Sequence, residues 1–204
     1  MIYRFLLCWL TFCCLIVGQA TATELFTPRP DYYFEQVGEL GSQPSMAMLQ
    51  DRDGFRWVGT LTNGLARFDG SSVKYFTRAN SGLSSNMVTQ LFEDADGEIW
   101  IGTYDGLNRY NKQTNRLTSY RANSDNLNHS LAGNQFSVRP GLIAQDQQGI
   151  LWFATQSGLS SYNKETQQFR SWRPAPGQLP QKEISAMHLD RHGYIWLGTN
   201  GGGL

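Results

Sequence analysis

The sequence has no cysteine beyond residue 14. Cys8, Cys13 and Cys14 all lie in one amino-terminal stretch, so the rest of the chain can form no disulfide, thiolate metal site or thiol nucleophile. Charge is also scarce. Charged residues make up 17% of the 204 residues, and 17 basic side chains balance 17 acidic ones. A net charge of zero gives no electrostatic footprint for nucleic acid or an anionic membrane, and no nucleic-acid partner is expected. Histidine occurs three times, as His129, His188 and His192; the last two are four apart but fall on a strand and in the hairpin turn after it, not on one helix face, and no cysteine lies near them to complete a zinc site. There is no Gly-x-Ser-x-Gly nucleophile elbow. These absences leave no catalytic constellation, and the expectation is a chain without catalysis, cofactor or bound metal.

The first 22 residues stand apart. Arg4 is their only charge, Phe5 to Val17 is apolar apart from Thr11, and Ala20-Thr21-Ala22 has the small-x-small form of a cleavage site. This reads as a secretory signal peptide, because the run is shorter than the roughly 20 residues of a membrane span. An uncleaved anchor is the alternative. The domain reading is therefore residues 1–22 as leader and 23–204 as the folded part, located outside the cytoplasm, in the periplasm. Cys13 and Cys14 follow Thr11-Phe12, which is not a lipoprotein context. No second apolar span follows.

Glycine and aromatic residues are plentiful, with 21 glycines and 13% aromatics, a strand-and-turn composition. They recur in a pattern. Asp-x-x-Gly-x-x-Trp, then an apolar residue, Gly or Ala, and Thr, occurs four times: at Asp51, Gly54 and Trp57; Asp94, Gly97 and Trp100; Asp146, Gly149 and Trp152; and Asp190, Gly193 and Trp196. The tryptophans are 43, 52 and 44 residues apart, the spacing of four-stranded propeller blades. Residues that recur in every copy are scaffold, so binding chemistry is sought where the copies differ.

Each unit reads as four short strands. The Asp-x-x-Gly segment is a hairpin turn, with Asp as cap and Gly supplying positive φ. A second turn ends in Gly-Leu at Gly64, Gly106 and Gly158, with the fourth copy's Gly202-Gly203-Leu204 shifted by one. A third strand ends in an aromatic and a turn residue, as in Phe68-Asp69, Tyr110-Asn111 and Tyr162-Asn163. The fourth strands lie around Val73 to Thr77, Leu117 to Tyr120 and Gln168 to Trp172. In Ile99-Trp100-Ile101 the Trp faces one side of the sheet and both Ile the other, so both faces need cover, and stacked blades supply it. Gly59, Gly102, Ala154 and Gly198 follow each Trp by two and would let neighbouring blades approach closely. The fold class is all-β, a β-propeller of four-stranded antiparallel blades.

This recurring signature, with the Gly-Leu turn, the aromatic-Asn/Asp pair and linkers such as Asn80-Ser81-Gly82-Leu83-Ser84-Ser85-Asn86, resembles the two-component regulator propeller repeat over about residues 31–204. The resemblance implies an extracytoplasmic sensor propeller set ahead of a membrane span and a histidine kinase, response-regulator or diguanylate-cyclase output. The full-length parent would be anchored in the inner membrane and dimeric. Tyr32 to Val37 resembles the strand that closes such a ring by joining the last blade, and the fourth unit stops at the start of its third strand. The expectation is a truncated amino-terminal piece holding about three and a half blades plus that closing strand. Streptogramin-lyase-like catalysis, and a secreted scaffold or adhesion propeller, are the alternatives.

The copies differ most in the linkers. The longest, Arg121 to Arg139, offers Arg121, Asn123, His129, Asn134 and Arg139, amide and guanidinium groups suited to a small polar signal such as a glycan or an organic anion. The turn at Tyr104 and Asp105 also varies and is expected on the same face. The Asp-rich turns lack EF-hand spacing and read as structural. Asn128-His129-Ser130 is formally a glycosylation sequon.

Overall fold

The computed structural model describes residues 43–126, 129–139, 141–177, 179 and 183–202. The leader at 1–22, the closing strand at Tyr32 to Val37, Asn128 and the Gly203-Leu204 end of the last turn lie outside the described residues.

Fourteen strands are described, in antiparallel sheets that follow the chain. The first sheet is β1 (Ser45–Gln50), β2 (Arg56–Thr60), β3 (Leu65–Phe68) and β4 (Val73–Phe76). The second is β5 (Val88–Glu93), β6 (Ile99–Thr103), β7 (Gly106–Asn111) and β8 (Arg116–Tyr120). The third is β9 (Ile143–Gln145), β10 (Leu151–Thr155), β11 (Gly158–Asn163) and β12 (Gln168–Trp172), and a fourth pairs β13 (Ile184–Leu189) with β14 (Ile195–Thr199). Within each sheet the strands pair in sequence order. Contact between sheets concentrates on first and second strands: β1 lies against β5, β5 against β9 and β9 against β13. The sheets therefore fan out from a shared inner edge, as expected of blades.

The core sits between blades. Ile99 and Ile101 join Trp57, Leu65, Phe76 and Tyr110 in the layer between the first two sheets. Trp100, on the opposite face of β6, joins Phe153, Tyr162 and Phe169 in the next layer. The period-2 reading of Ile99-Trp100-Ile101 is thus realised. The indoles of the first two blades each stack on an aromatic of their own fourth strand and meet edge-on a tyrosine from the following blade. Trp57 does so with Phe76 at 5.9 Å and Tyr110 at 5.3 Å, and Trp100 with Tyr120 at 6.0 Å and Tyr162 at 5.5 Å. Trp152 keeps only the first half of this arrangement, stacking on Trp172 at 5.5 Å, and is half-buried. Trp196 is 53% exposed, unlike the fully buried indoles of the first two blades. The reason is geometric: the third-strand tyrosine that caps the first two indoles has no described counterpart beside the last two.

The small residue after each Trp serves close approach. A Cβ at Gly59 would come within 2.6 Å of Val88 on the next blade, and one at Gly102 within 2.8 Å of Phe136. The linkers are more ordered than loops of this composition suggest. Thr77 caps a single helical turn, α1 (Arg78–Ser81), through a reciprocal capping box with Asn80.

Candidate functional site

Two ends of the blades carry polar groups. At one end lie the Asp turns. In each, Asp Oδ1 accepts two backbone N–H groups and Oδ2 accepts the indole N–H six residues on. For Asp94 these donors are Asp96 N at 3.0 Å, Glu98 N at 2.9 Å and Trp100 Nε1 at 2.9 Å. Asp51, Asp146 and Asp190 repeat the set with Trp57, Trp152 and Trp196 at 2.8, 2.8 and 2.9 Å. Gly54, Gly97, Gly149 and Gly193 have φ of 88, 81, 81 and 85°, the left-handed conformation the turn needs.

Two lysines lock successive turns together. Lys164, following the third strand of the third blade, places Nζ 2.7 Å from Asp94, 2.6 Å from Asp96 and 2.8 Å from Glu98 of the second blade. Lys112 does the same one blade earlier, 2.6 Å from Asp53, 2.8 Å from Glu93 and 3.4 Å from Asp51. Burial works against both ammonium charges. Hydrogen bonds to the carboxylates outweigh it, and both lysines are held above the ordinary lysine range. Asp96 is correspondingly lowered by its bond and charge contact with Lys164. A cleft of about 680 Å³ runs between these turns, with every charge named above engaged inside the scaffold.

The other end gathers the interblade linkers and the turns after each Trp strand, as expected. Tyr104 N donates to Met87 O at 3.1 Å, Gly106 N to Asn134 O at 2.8 Å and Gln156 N to Gln135 O at 3.1 Å. The 121–139 segment is no plain solvated loop, because Leu131 and Phe136 are buried in the core.

The candidate ligand residues divide here. Asn134 Oδ1 accepts Ala122 N at 2.6 Å, and Asn86 Oδ1 accepts Arg78 N at 2.9 Å in the preceding linker. Asn134 therefore belongs to the recurring scaffold, not to the variable set. Arg121 is similar: its guanidinium reaches Ser84 O at 3.2 Å, as Arg173 reaches Ala132 O at 3.2 Å. Arg121 also meets Asp105 at 3.4 Å. Tyr104, 48% exposed, and Asp105 share one turn. Asn123 is exposed and turns its Oδ1 onto Asp125 N at 2.9 Å. His129 is exposed and borders a separate cleft beside Trp152 and Trp172. Arg139 is exposed, and its carbonyl accepts the Gln90 side chain. Tyr104, Asp105 and Arg121 thus come together, while His129 and Arg139 stand elsewhere. The lysine clamps were not singled out in the sequence, although Asn-Lys after a third-strand Tyr occurs twice. Among the described residues no group of three or more His, Cys, Asp or Glu side chains could hold a metal ion, and no helix is long and apolar enough to cross a membrane.

Residues 82–105 and 178–201 match the model of the family described as two component regulator propeller. The extracellular domain of a B. thetaiotaomicron protein described as a hybrid two component system superposes with a TM-score of 0.70 at 23% identity, over 82% of this chain and 24% of that one. An inactive virginiamycin B lyase from Staphylococcus aureus, solved with quinupristin, gives 0.57 at 16% identity, over 82% and 52%. PorZ, a surface component of the type-IX secretion system of Porphyromonas gingivalis, gives 0.53 at 18%, over 76% and 23%. At these identities the likeness establishes the β-propeller fold. The chain spans between about a quarter and about half of these structures. A search of curated protein sequences found no match.

Proposed function

We propose that this chain is the ligand-sensing propeller module of a periplasmic, membrane-anchored signal-transduction receptor, working with the remainder of that receptor chain as a dimer. The observation that carries the reading is the match of two separate repeats to the two component regulator propeller family. A neighbour in fold described as the extracellular domain of a hybrid two component system supports it. The platform is rigid and the linker end is variable, which suits a binding module. The signal would be a small polar molecule, such as a glycan or an organic anion, received at the Tyr104–Asp105 turn beside Arg121.

A thermal-shift panel of saccharides and organic anions tests this. A ligand at a hundredfold excess over its Kd adds about 2.7 kcal/mol, or a rise of roughly 5–10 °C for a domain of this size. Tyr104→Ala should abolish the rise while leaving the unliganded melting point within about 1 °C, since the side chain is half exposed. A rise that survives both Tyr104→Ala and Asp105→Asn would move the site elsewhere. The fold shared with virginiamycin B lyase favours a second reading, catalysis. Cleavage of quinupristin by this protein, lost in His129→Ala, would replace sensing with it.

A further inference from the structure

The chain contains two Asn-Gly dipeptides, Asn63-Gly64 and Asn200-Gly201, both in the turn that follows a Trp strand. They look alike in sequence, and both asparagines are exposed. The repeat places them at different points of the turn. Asn200 N donates to Glu183 O at 3.1 Å, as Leu61 N donates to Pro44 O and Tyr104 N to Met87 O, both at 3.1 Å. Asn200 therefore occupies the position of Leu61 and Tyr104, and Gly201 the exposed tip held by Thr62 in the first blade. Gly64 instead closes its turn. Its N–H donates to Asn86 O at 2.9 Å, and its carbonyl accepts Thr60 N at 3.0 Å and Thr60 Oγ1 at 2.8 Å. A Cβ on Gly64 would collide with the Phe76 carbonyl, whereas one on Gly201 would meet nothing within 4 Å. Among the described residues the Gly201 N–H has no hydrogen-bond partner.

We infer that Asn200-Gly201 is a site of spontaneous deamidation and that the fold shields Asn63-Gly64 from the same reaction. The Gly201 backbone nitrogen gives its proton to solvent hydroxide and attacks Asn200 Cγ. The new N–Cγ bond forms, the Cγ–Nδ2 bond breaks, and ammonia leaves a five-membered imide. Water opens the imide at either carbonyl, giving aspartate or its isoaspartyl isomer, with no change of oxidation state. The reaction needs a glycine nitrogen that is free to ionise and to swing towards the side chain. Among the described residues Gly201 meets both needs and Gly64 neither, because the Gly64 N–H is engaged and its backbone is wedged. The product carries a carboxylate where Asn200 Nδ2 now donates to Glu183 Oε2 at 3.3 Å, so an attraction becomes a repulsion at the linker end of the fourth sheet.

Trypsin separates the two sites, one into peptide 57–67 and the other into the peptide that begins at His192, so both can be followed in one sample of the intact protein held warm at mildly alkaline pH. Each conversion adds about 1 Da, and isoaspartate is resolved by chromatography. Asn200 should convert at least about tenfold faster than Asn63 in the folded protein, the protection worth one good backbone hydrogen bond. In urea the two rates should fall within about twofold of each other, because the local sequence is the same and the fold is gone. Gly201→Ala should slow Asn200 and leave Asn63 as it was. Equal rates in the folded state, no conversion at either site, or a difference that persists in urea would each overturn the inference.

Discussion

Asp94 shows how much one side chain does in this molecule. Its carboxylate has no exposed surface and takes the turn's two N–H groups, the Trp100 indole and the Lys164 ammonium. Removing it leaves several buried donors unmet, each worth about 1–3 kcal/mol when unsatisfied. Asp94→Ala should therefore lower stability by roughly 3 kcal/mol or more, read from the urea midpoint at constant m. Asp190→Ala removes the same local bonds beside an indole that is 53% exposed, and should shift the urea midpoint far less than Asp94→Ala does. Equal losses would mean that the turn alone, not its enclosure, sets the value. The Asp-x-x-Gly turn was legible in the sequence because its partners lie within four residues. The Asp–indole bond spans only six, and was missed because the turn already explained the Asp. Lys164 lies 70 residues from Asp94, and Lys112 lies 61 from Asp51, so nothing local could reveal either clamp.

At the scale of the element, the sheets required little more than period 2 and turn residues, and the hairpin turns, Trp strands and fourth strands of the first three units fall where the sequence puts them. The linkers were harder to read. Serine, asparagine and glycine suggest solvated loops, yet Leu83 and Leu131 are each buried at corresponding points, and Asn86 and Asn134 tie the turn beside them. One apolar residue among polar ones carries no periodicity, so its burial appears only once the next blade is in place. The glycine that closes the turn after each Trp strand is another element-scale constraint. Gly158 has φ of 140°, and a Cβ there would strike the Trp172 carbonyl. Gly54 has φ of 88° with open space around it. Gly158→Ala should cost several kcal/mol through strain plus overlap, and Gly54→Ala about 1 kcal/mol through strain alone, measured as shifts in urea midpoint. A smaller loss at Gly158 than at Gly54 would show that the fourth strand can yield.

For the whole molecule, the ionic clamps give a distinct dependence on pH. Lys112 and Lys164 have folded values above the unfolded lysine value of about 10.4, so their contribution is complete below about pH 10 and is lost as pH rises through the folded values. Asp96 is shifted the other way. Its contribution is complete above its unfolded value of about 4 and is lost as pH falls through the folded one, and it is small because the carboxylate is mostly exposed. Stability measured by urea titration should thus differ between the parent and a Lys112→Met, Lys164→Met double variant by a constant amount from about pH 5 to 10, and the two curves should converge above that. A gap that widens at alkaline pH would refute the clamp account.

Every unit in the second and third positions presents a socket on one side and a plug on the other. The socket is an indole with its acidic turn, and the plug is a tyrosine followed at two residues by a lysine. A unit of this kind carries all it needs to seat between any two of its fellows, so duplicating one span of some 43 residues lengthens the array without any matching change in its neighbours.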